Sequence, residues 1–432
     1  MGEDGQAHVQ SQFRLFFAWL DQQDAWVEVA PRFSLRCVLQ GNLSLNIELL
    51  RISICSAPHD EFLSLSFGKR QPKRFWTVSG IVISSVGDVR LMNAIRGPMS
   101  DALKLLQESD ITFGNLEGPL TDGGEPNSEK YAAIRQNPSL LMEYERMGFK
   151  ILHLANNHML DYGRVGLINT LKTLREAGLQ YVGAGEDIDE ALKVAYLERK
   201  GVRVAFLGCA STLPGDSEAG PNKPGLAPIR VRTSYHIHPG EEKENPGTPP
   251  VVLTEPNEED LERVTAVIHK AKAKADFVIV SIHWGMPRQD SIEDYQPVVG
   301  RAFIDAGANL VVGHHAHRVH AVHQYKNGFI FYSIGDFFFE FSDRPKPKDT
   351  KWQYWPPKLG MWSVSNQAVI VRTKITRSGG AIHELVPTVK PKGGRPQILK
   401  GSSAEHLLRH IEDLSSGEAK FSIKDGRATI RS

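Results

Sequence analysis

The sequence predicts a layered α/β protein, because short runs of β-branched residues alternate with stretches whose apolar residues recur at helical spacing. The predicted strands are residues 78–86, 111–113, 151–154, 202–207, 277–282, 310–312 and 329–332, followed by a final hairpin of 367–373 with 381–386. The predicted helices are residues 140–147, 166–177, 258–275 and 295–306. Strand, helix and strand in succession are typical of an α/β core.

The regular pattern covers only part of the chain. Residues 1–75 show no clear period and are expected to be an appendage of unknown role, followed by one domain at 76–395 and a C-terminal extension at 396–432. Residues 213–256 are rich in proline, glycine and acidic side chains, which predicts a long loop that acts as a lid. A disordered surface insertion is an equal alternative for that segment.

Composition restricts the class of function. Lysine plus arginine (51) nearly equals aspartate plus glutamate (50), which removes the electrostatic argument for a nucleic-acid or anionic-membrane partner and favours a small-molecule or peptide substrate. Cys37, Cys55 and Cys209 are too widely spaced for a thiolate zinc site. No segment has the length of apolar sequence needed to span a bilayer or the pattern of a signal peptide, so we expect a cytoplasmic protein.

Acidic residues follow three of the predicted strands. Asp88 and Asp336 each come directly after a glycine that ends a strand, and Glu117 lies in a glycine-flanked loop after the second strand. Side chains at the carboxyl ends of strands point into the crevice where α/β proteins bind ligands. The alternative for each acid is that it belongs to an ordinary turn after the strand. In a site, Asp336 would either line the crevice or orient a histidine.

A sharper signal follows the third strand, which ends on Asn156, Asn157 and His158, with Asp161 close behind. Amide oxygens and imidazole nitrogens are ligands for divalent metals, and an aspartate can fix the tautomer of a neighbouring imidazole. An N-cap for the next helix explains one asparagine but not the group. His153 has apolar neighbours, so we interpret it as a core residue.

Histidines follow two further strands. His283 ends one predicted strand, and His314, His315 and His317 come directly after another. In an extended segment, residues two apart face the same side, so His315 and His317 are predicted to reach one metal cluster while His314 points away. Arg318 is a candidate contact for an anionic substrate group.

In their order along the chain, these segments resemble the CapA family of capsule and poly-γ-glutamate biosynthesis proteins, whose domain is similar to the calcineurin-like metallophosphoesterases. The matching residues are 87–88, 115–118, 155–158 with Asp161 and Gly163, 183–185, 283–285, 313–317 and 332–335. The likeness covers roughly residues 80 to 390. It implies a four-layer α/β/β/α sandwich with a metal centre at one edge of its two sheets.

The resemblance also implies roles for single residues. The implied ligands of one or two divalent ions, with manganese, zinc or iron favoured, are Asp88, Glu117, Asn157, His283, His315 and His317. His158 falls at the position of a general acid, and Asp161 would orient it. The expected substrate contacts are Arg90, Asn156, Arg318 and Asp336. The expected reaction is hydrolysis of a γ-glutamyl amide or a phosphoester; the alternative is an accessory module that binds poly-γ-glutamate or a synthase partner.

The chain departs from the pattern at three places. Arg90 stands where calcineurin-like enzymes have a histidine ligand, so the number of metals stays open between one and two. Pro287, followed by Arg288, stands where CapA-like sequences often have a glutamate, and Asp336 stands where they commonly have asparagine. Substrate choice is expected to differ accordingly.

Overall fold

The computed structural model describes residues 80–130, 133–340, 366–375 and 380–431, together with the backbone of residues 51–57 and 60–66. The chain divides into two compact units, Met1–Thr77 and Val78–Ser432. In the first unit, strands β1 (Arg51–Ala57) and β2 (Asp60–Ser66) pair in antiparallel fashion. The sequence pattern did not predict this pair, and the role of residues 1–75 stays a prediction.

The second unit contains the α/β core. Its strands are β3 (Ile81–Arg90), β4 (Ile111–Leu116), β5 (Phe149–His153), β6 (Gln180–Val182), β7 (Ala184–Gly185), β8 (Ala195–Arg199), β9 (Val202–Ala210), β10 (Gly225–Leu226), β11 (Val231–His236), β12 (Val251–Pro256), β13 (Phe277–His283), β14 (Leu310–His314), β15 (Val322–Tyr325), β16 (Gly328–Phe331), β17 (Asp336–Phe339), β18 (Gln367–Ile375), β19 (Ala381–Val389), β20 (Gln397–Ile398), β21 (Ser422–Lys424) and β22 (Arg427–Arg431). Its helices are α1 (Asp101–Gln107), α2 (Leu141–Arg146), α3 (Gly163–Ala177), α4 (Ile188–Ala191), α5 (Pro239–Glu244), α6 (Glu258–Lys272), α7 (Tyr295–Asp305) and α8 (Gly401–Leu414). The strands and helices predicted from the sequence all appear here, with ends displaced by a few residues.

Two sheets form the centre of this unit. The larger has the order β21-β22-β19-β18-β3-β4-β5-β6, in which β3 to β6 run parallel, and β17 lies parallel to β3 at the end of that strand. The smaller has the order β15-β16-β14-β13-β9-β8, in which β9, β13, β14 and β16 run parallel. Parallel strands bring their carboxyl ends to one edge of each sheet.

The sheets pack face to face, and helices cover their outer faces. Phe113 of the larger sheet and Phe206 of the smaller lie in the core between them, with ring centroids 5.3 Å apart. Helices α1 to α3 pack on the outer face of the larger sheet, and α6 and α7 pack on that of the smaller. The predicted four-layer α/β/β/α sandwich is therefore confirmed.

The helices begin and end where local chemistry dictates. The side chain of Asn257 accepts a hydrogen bond from the backbone N–H of Asp260 and caps the start of α6. Helix α3 ends at Gly178, whose φ of +70° closes the last turn in the left-handed region that glycine enters without strain. Within the described ranges, no helix has the length and hydropathy needed to cross a membrane.

Two segments differ from the sequence expectation. The predicted loop at 213–256 contains an antiparallel hairpin of β11 and β12, with α5 near its tip, and its role as a lid stays a prediction. The proline and glycine that suggested a loop lie mostly outside the two strands. Residues 396–432, expected to form an extension, pack α8 against the core and add β22 to the larger sheet beside β19, with Leu408 and Ile430 fully buried.

Candidate metal centre

Asp88 reaches the site because a glycine precedes it. The pairing of β3 with β4 shifts register between Val86 and Asp88, and a Cβ added at Gly87 would lie 1.7 Å from the backbone oxygen of Gly335. Only glycine leaves room for this approach. The approach lets β17 run beside β3 and sets Asp336 directly opposite Asp88.

Glu117 follows β4 and is fully buried. Both of its carboxylate oxygens lack a hydrogen-bond partner among the described residues. One ligand atom from each of Asp88, Glu117 and His317 lies within 4.8 Å of the other two. Buried carboxylates without partners are costly, and a cation at this point satisfies them. The residues therefore fit a divalent metal ion.

The electrostatics of this group agree with a cation site. Burial, together with the charge of Asp88, raises the pKa of Glu117 well above its usual range. Burial also raises the pKa of Asp88 to about 6. Burial alone would lower the pKa of His317, but the charges of Asp336 and Glu117 overcome it and raise the pKa to about 10. In the apo protein, the positive charge near Asp88 and Glu117 is too small to offset the cost of burying both carboxylates in ionised form.

A second group of ligand atoms lies at the ends of β5, β13 and β14. Nε2 of His283 lies 2.9 Å from Oδ1 of Asn157 and 3.0 Å from Nδ1 of His315. Nδ2 of Asn115 donates to Oδ1 of Asp88 at 2.8 Å and lies 3.4 Å from Nδ1 of His283. Asn115 therefore links the two groups, which residues of both sheets supply.

The histidine segment reaches this centre by a different backbone than predicted. His315 and His317 have φ values of +90° and +53°, so the segment after β14 is not extended. Their ring centroids are nevertheless 6.0 Å apart, because two left-handed residues turn both side chains inward. Nε2 of His314 pairs with Oγ of Ser281 at 2.9 Å, while its Nδ1 lies 3.5 Å from Asp88, so this ring lies behind the carboxylate. His153 stacks on it with centroids 5.5 Å apart, as a buried core histidine.

His158 lies beside the centre in a network of its own. Its Nδ1 lies 2.6 Å from Oδ2 of Asp161, and its Nε2 lies 3.8 Å from Oε1 of Glu117. Nζ of Lys130 pairs with Asp161, donates to the backbone oxygen of Asn157 and lies 3.3 Å from Nδ1 of His158. Burial and the charge of Lys130 lower the pKa of His158 to about 4. The imidazole is therefore neutral at pH 7.

One of the four expected substrate contacts, Asn156, is held by other residues of the protein. Asn156 is fully buried; its Nδ2 donates to Asn115 and Leu116, and its Oδ1 accepts from the N–H of His158. These contacts orient the loop that carries His158, and contact of Asn156 with a substrate stays a prediction.

The other three expected contacts have protein partners as well. Nη1 of Arg90 donates to the backbone oxygen of Glu340, and its guanidinium lies over the ring of Phe339. Arg318 forms an ion pair with Asp290 at 3.0 Å. Asp336 contacts His317 and lies at the centre itself. Contact of these three with a substrate stays a prediction.

Sequence reasoning gave no role to Asn115, Lys130 or Arg288. Asn115 ends a strand beside a predicted ligand, a position that favours a site residue and was available as a signal. Lys130 lies in an irregular segment remote in sequence from the residues that it contacts, so no local pattern identifies it. Arg288 was noted only as the residue that follows the departure at Pro287.

Comparison with known proteins gives the family. The family model described as "Bacterial capsule synthesis protein PGA_cap" matches residues 78–340. The chain belongs to this family. The PGA_cap match contains every site residue named above, and the resemblance to the CapA family is confirmed.

Individual relatives match over most of the chain. The "Capsule biosynthesis protein CapA" of Bacillus anthracis is 28% identical over 76% of this chain and 69% of that protein. The "PGA biosynthesis protein CapA" of Bacillus subtilis is 25% identical over 84% of this chain and 86% of that protein. A "Probable polyglutamine synthesis accessory protein" of Mycobacterium tuberculosis is 28% identical over 58% of this chain and 64% of that protein.

Solved structures are more distant from this PGA_cap protein. A hypothetical protein from Thermus thermophilus is 16% identical, with a TM-score of 0.34 over 73% of this chain and 96% of that one. Vps29 of Chaetomium thermophilum is 11% identical, with a TM-score of 0.26 over 74% of this chain and 94% of that one.

Proposed function

We propose that this protein is a metal-dependent hydrolase of the CapA type, which cleaves a γ-glutamyl amide or a phosphoester in polymer or peptide metabolite biosynthesis. The observation that carries the proposal is Glu117, whose carboxylate is buried beside Asp88 and His317 and has no hydrogen-bond partner in the described part of the chain. The mixture of carboxylate, amide and imidazole ligands suits manganese, zinc or iron.

The six ligands would hold one or two ions. Asp88, Glu117 and His317 form the group richer in carboxylate, and Asn157 with His283 and His315 forms the other. A divalent ion bound here supplies Lewis acidity and lowers the pKa of water. Asp336, whose Oδ1 lies 2.8 Å from Nδ1 of His317, holds that ring in place.

His158 would move the proton. Its Nδ1 faces Asp161, which assigns the ring proton to Nδ1 and leaves the lone pair on Nε2, the atom that faces the centre. With a pKa of about 4 it starts neutral, so in this proposal Nε2 first takes up the proton that the attacking water loses and then, as the general acid, gives it to the leaving group. Asp161 and Lys130 keep the ring oriented throughout.

The test combines metal analysis with a substrate panel. Purified protein is expected to contain stoichiometric metal, and after chelation manganese, zinc or iron(II) should restore hydrolysis of bis(p-nitrophenyl) phosphate or γ-glutamyl p-nitroanilide. His158→Ala should reduce kcat by roughly 100- to 10,000-fold and keep the metal content. His406→Ala, at an exposed position on α8, serves as the matched control. Absence of bound metal together with no hydrolysis after metal addition would refute the proposal.

A second candidate is a non-catalytic accessory role, favoured by the description of the Mycobacterium tuberculosis relative as an accessory protein. In that case the same centre binds poly-γ-glutamate or a synthase partner without turnover. Binding of poly-γ-glutamate that is unchanged in His158→Ala, with no hydrolysis by either protein, supports this role over the hydrolase.

A further inference from the structure

Arg288 lies in the segment between β13 and α7 and is fixed against the histidine segment. Its backbone N–H donates to the carbonyl oxygen of Ala316 at 2.8 Å, between His315 and His317. Its own carbonyl oxygen accepts from Nη1 of Arg318 at 3.3 Å. Its φ of +64° lies in the left-handed region, which non-glycine residues occupy only at a cost. These contacts hold the Cα of Arg288 at the rim of the metal centre.

The guanidinium of Arg288 contacts no carboxylate in the part of the chain that the structure describes. Its Nε is buried without a hydrogen-bond partner, and none of its nitrogens forms an ion pair with a described residue. The charges of Asp336 and Glu117 act on it from beyond contact distance, and its own charge acts on His315. The backbone hydrogen bond to Ala316 also places the group close to the centre, and no described residue accepts a hydrogen bond from its side chain. Leaving such donors unpaired costs free energy that a bound anion recovers.

The other cations near the centre are already engaged. Lys130 pairs with Asp161, Arg318 pairs with Asp290, and Arg90 donates to the carbonyl oxygen of Glu340. Of these four cations, Arg288 is the one whose side chain contacts no acceptor among the described residues, so a substrate that brings a negative charge to the centre meets it first. Its planar fork suits two oxygens of one group better than a lysine does.

We infer that Arg288 binds an oxyanion of the substrate, either the free carboxylate of a γ-glutamyl unit or the non-bridging oxygens of a phosphoryl group, through two parallel hydrogen bonds. This inference rests on the proposed function only in that the anion belongs to a molecule held at the metal centre. Both anions offer two coplanar oxygens to the guanidinium. Arg288 is in this view a determinant of substrate choice, next to the departure at Pro287.

The experiment measures anion binding to the full chain loaded with manganese. Inorganic phosphate and glutarate are titrated separately by calorimetry into wild type, Arg288→Gln, Arg288→Lys and a control, Arg301→Gln, which changes an exposed arginine on α7 that lies over Tyr325. Wild type and the control should bind at least one anion equally well. Arg288→Gln should weaken that binding by about 10- to 100-fold, and Arg288→Lys by less. The anion whose binding weakens more in Arg288→Gln shows whether Arg288 recognises a carboxylate or a phosphoryl group.

Metal content and the melting temperature are measured for every variant. They should match wild type within error, which separates loss of the anion contact from loss of the fold. Equal anion binding by wild type and Arg288→Gln overturns the inference, as does a wild type that binds neither anion or an Arg288→Gln protein that loses its metal. If anion binding depends on Arg288 but no substrate is hydrolysed, the hydrolase proposal fails and this inference stands.

Discussion

Nδ1 of His317 lies 2.8 Å from Oδ1 of Asp336, a residue that β17 sets directly opposite Asp88. The opposite ring nitrogen, Nε2, lies 3.8 Å from Oε1 of Glu117. The imidazole is thus held between two carboxylates from different strands. A carboxylate behind a ligand histidine fixes the ring and raises its basicity.

Replacing Asp336 tests this pairing. Asp336→Asn keeps the shape and a hydrogen bond to His317 but removes the charge, so the affinity for manganese should fall by roughly 10- to 100-fold. The affinity is measured by competition with a chelator. The matched control is Asp305→Asn, which changes a surface acid paired with Lys326. A manganese affinity equal to that of wild type would show that Asp336 does not contribute to metal binding.

Glu117→Gln should have opposite effects on metal binding and on apo stability. The amide loses the ligand charge, so metal affinity drops by at least about 10-fold. Because burial raises the pKa of Glu117, its ionised form destabilises the apo protein as pH rises above the ordinary range of the group, and the neutral amide avoids that cost. The chelated variant should therefore melt at a higher temperature than chelated wild type at pH 7.5.

The control for this comparison is Glu412→Gln, on the exposed face of α8, where Glu412 pairs with Arg409. It should change neither the metal affinity nor the melting temperature of the chelated protein. A lower melting temperature of chelated Glu117→Gln would show that Glu117 has protein partners that stabilise its charge.

Lys130→Met should destabilise the fold as well as slow turnover. The change leaves Asp161 buried without its cation, which costs about 3 kcal/mol in free energy of unfolding. Lys172→Met, which breaks an exposed ion pair with Glu176 on α3, should cost less than about 0.5 kcal/mol. The measurement is urea unfolding at pH 7.

The double variant Lys130→Met with Asp161→Asn gives a sharper result. If the lysine acts through Asp161, the double variant should be less destabilised than the sum of the two single variants. Additive costs would mean that Lys130 stabilises the protein through its other contact, the backbone oxygen of Asn157.

Gly87→Ala should disrupt the site from a position that carries no side chain. The new Cβ would meet the backbone oxygen of Gly335 at 1.7 Å, which forces β17 away from β3 and costs at least about 3 kcal/mol. Gly215→Ala has open space around its Cβ and no left-handed φ, so it serves as the control. Thermal unfolding and metal content measure both effects, and a Gly87→Ala protein with normal values of each would contradict the close approach.

His383 predicts an acid-dependent loss of stability that is independent of the metal centre. It lies buried in β19 with Nδ1 2.9 Å from Oγ1 of Thr373, and burial lowers its pKa to about 3. The unfolded chain takes up the proton below its ordinary pKa of 6.5, whereas the folded chain does not until about pH 3. Stability is therefore complete above pH 6.5 and is lost as pH falls, by roughly 2 kcal/mol between pH 7 and pH 5.

His383→Gln retains a hydrogen-bonding group and removes the titration. The difference in unfolding free energy between pH 7 and pH 5, measured with urea, should shrink by that amount relative to wild type. His406→Gln, at an exposed position, should leave the difference unchanged. An equal pH difference in His383→Gln and wild type would show that the folded ring is protonated near its ordinary pKa.

The sequence predicted the elements of the centre better than the contacts between them. Alternating apolar runs and polar strand ends are local features, so Asp88, Glu117 and His283 were found where their strands end. The backbone conformation after β14 was not predicted. The left-handed φ values of His315 and His317 depend on the surrounding loops, and no residue type in this segment indicates them. Lys130 was missed because its contact with Asp161 also depends on how distant loops meet, which no local pattern shows.

The predicted ligands come to the centre from both sheets of the sandwich: Asp88, Glu117 and Asn157 from one, and His283, His315 and His317 from the other. An ion bound there would add a cross-link between layers that otherwise adhere through apolar packing and a few hydrogen bonds, such as that between His283 and Asn157. The sheets could then not separate without removing its ligands, so unfolding and metal release would become one event. We therefore expect the rate of unfolding to depend on the lifetime of the bound ion, much as a reducible bond sets the lifetime of a disulfide-linked protein.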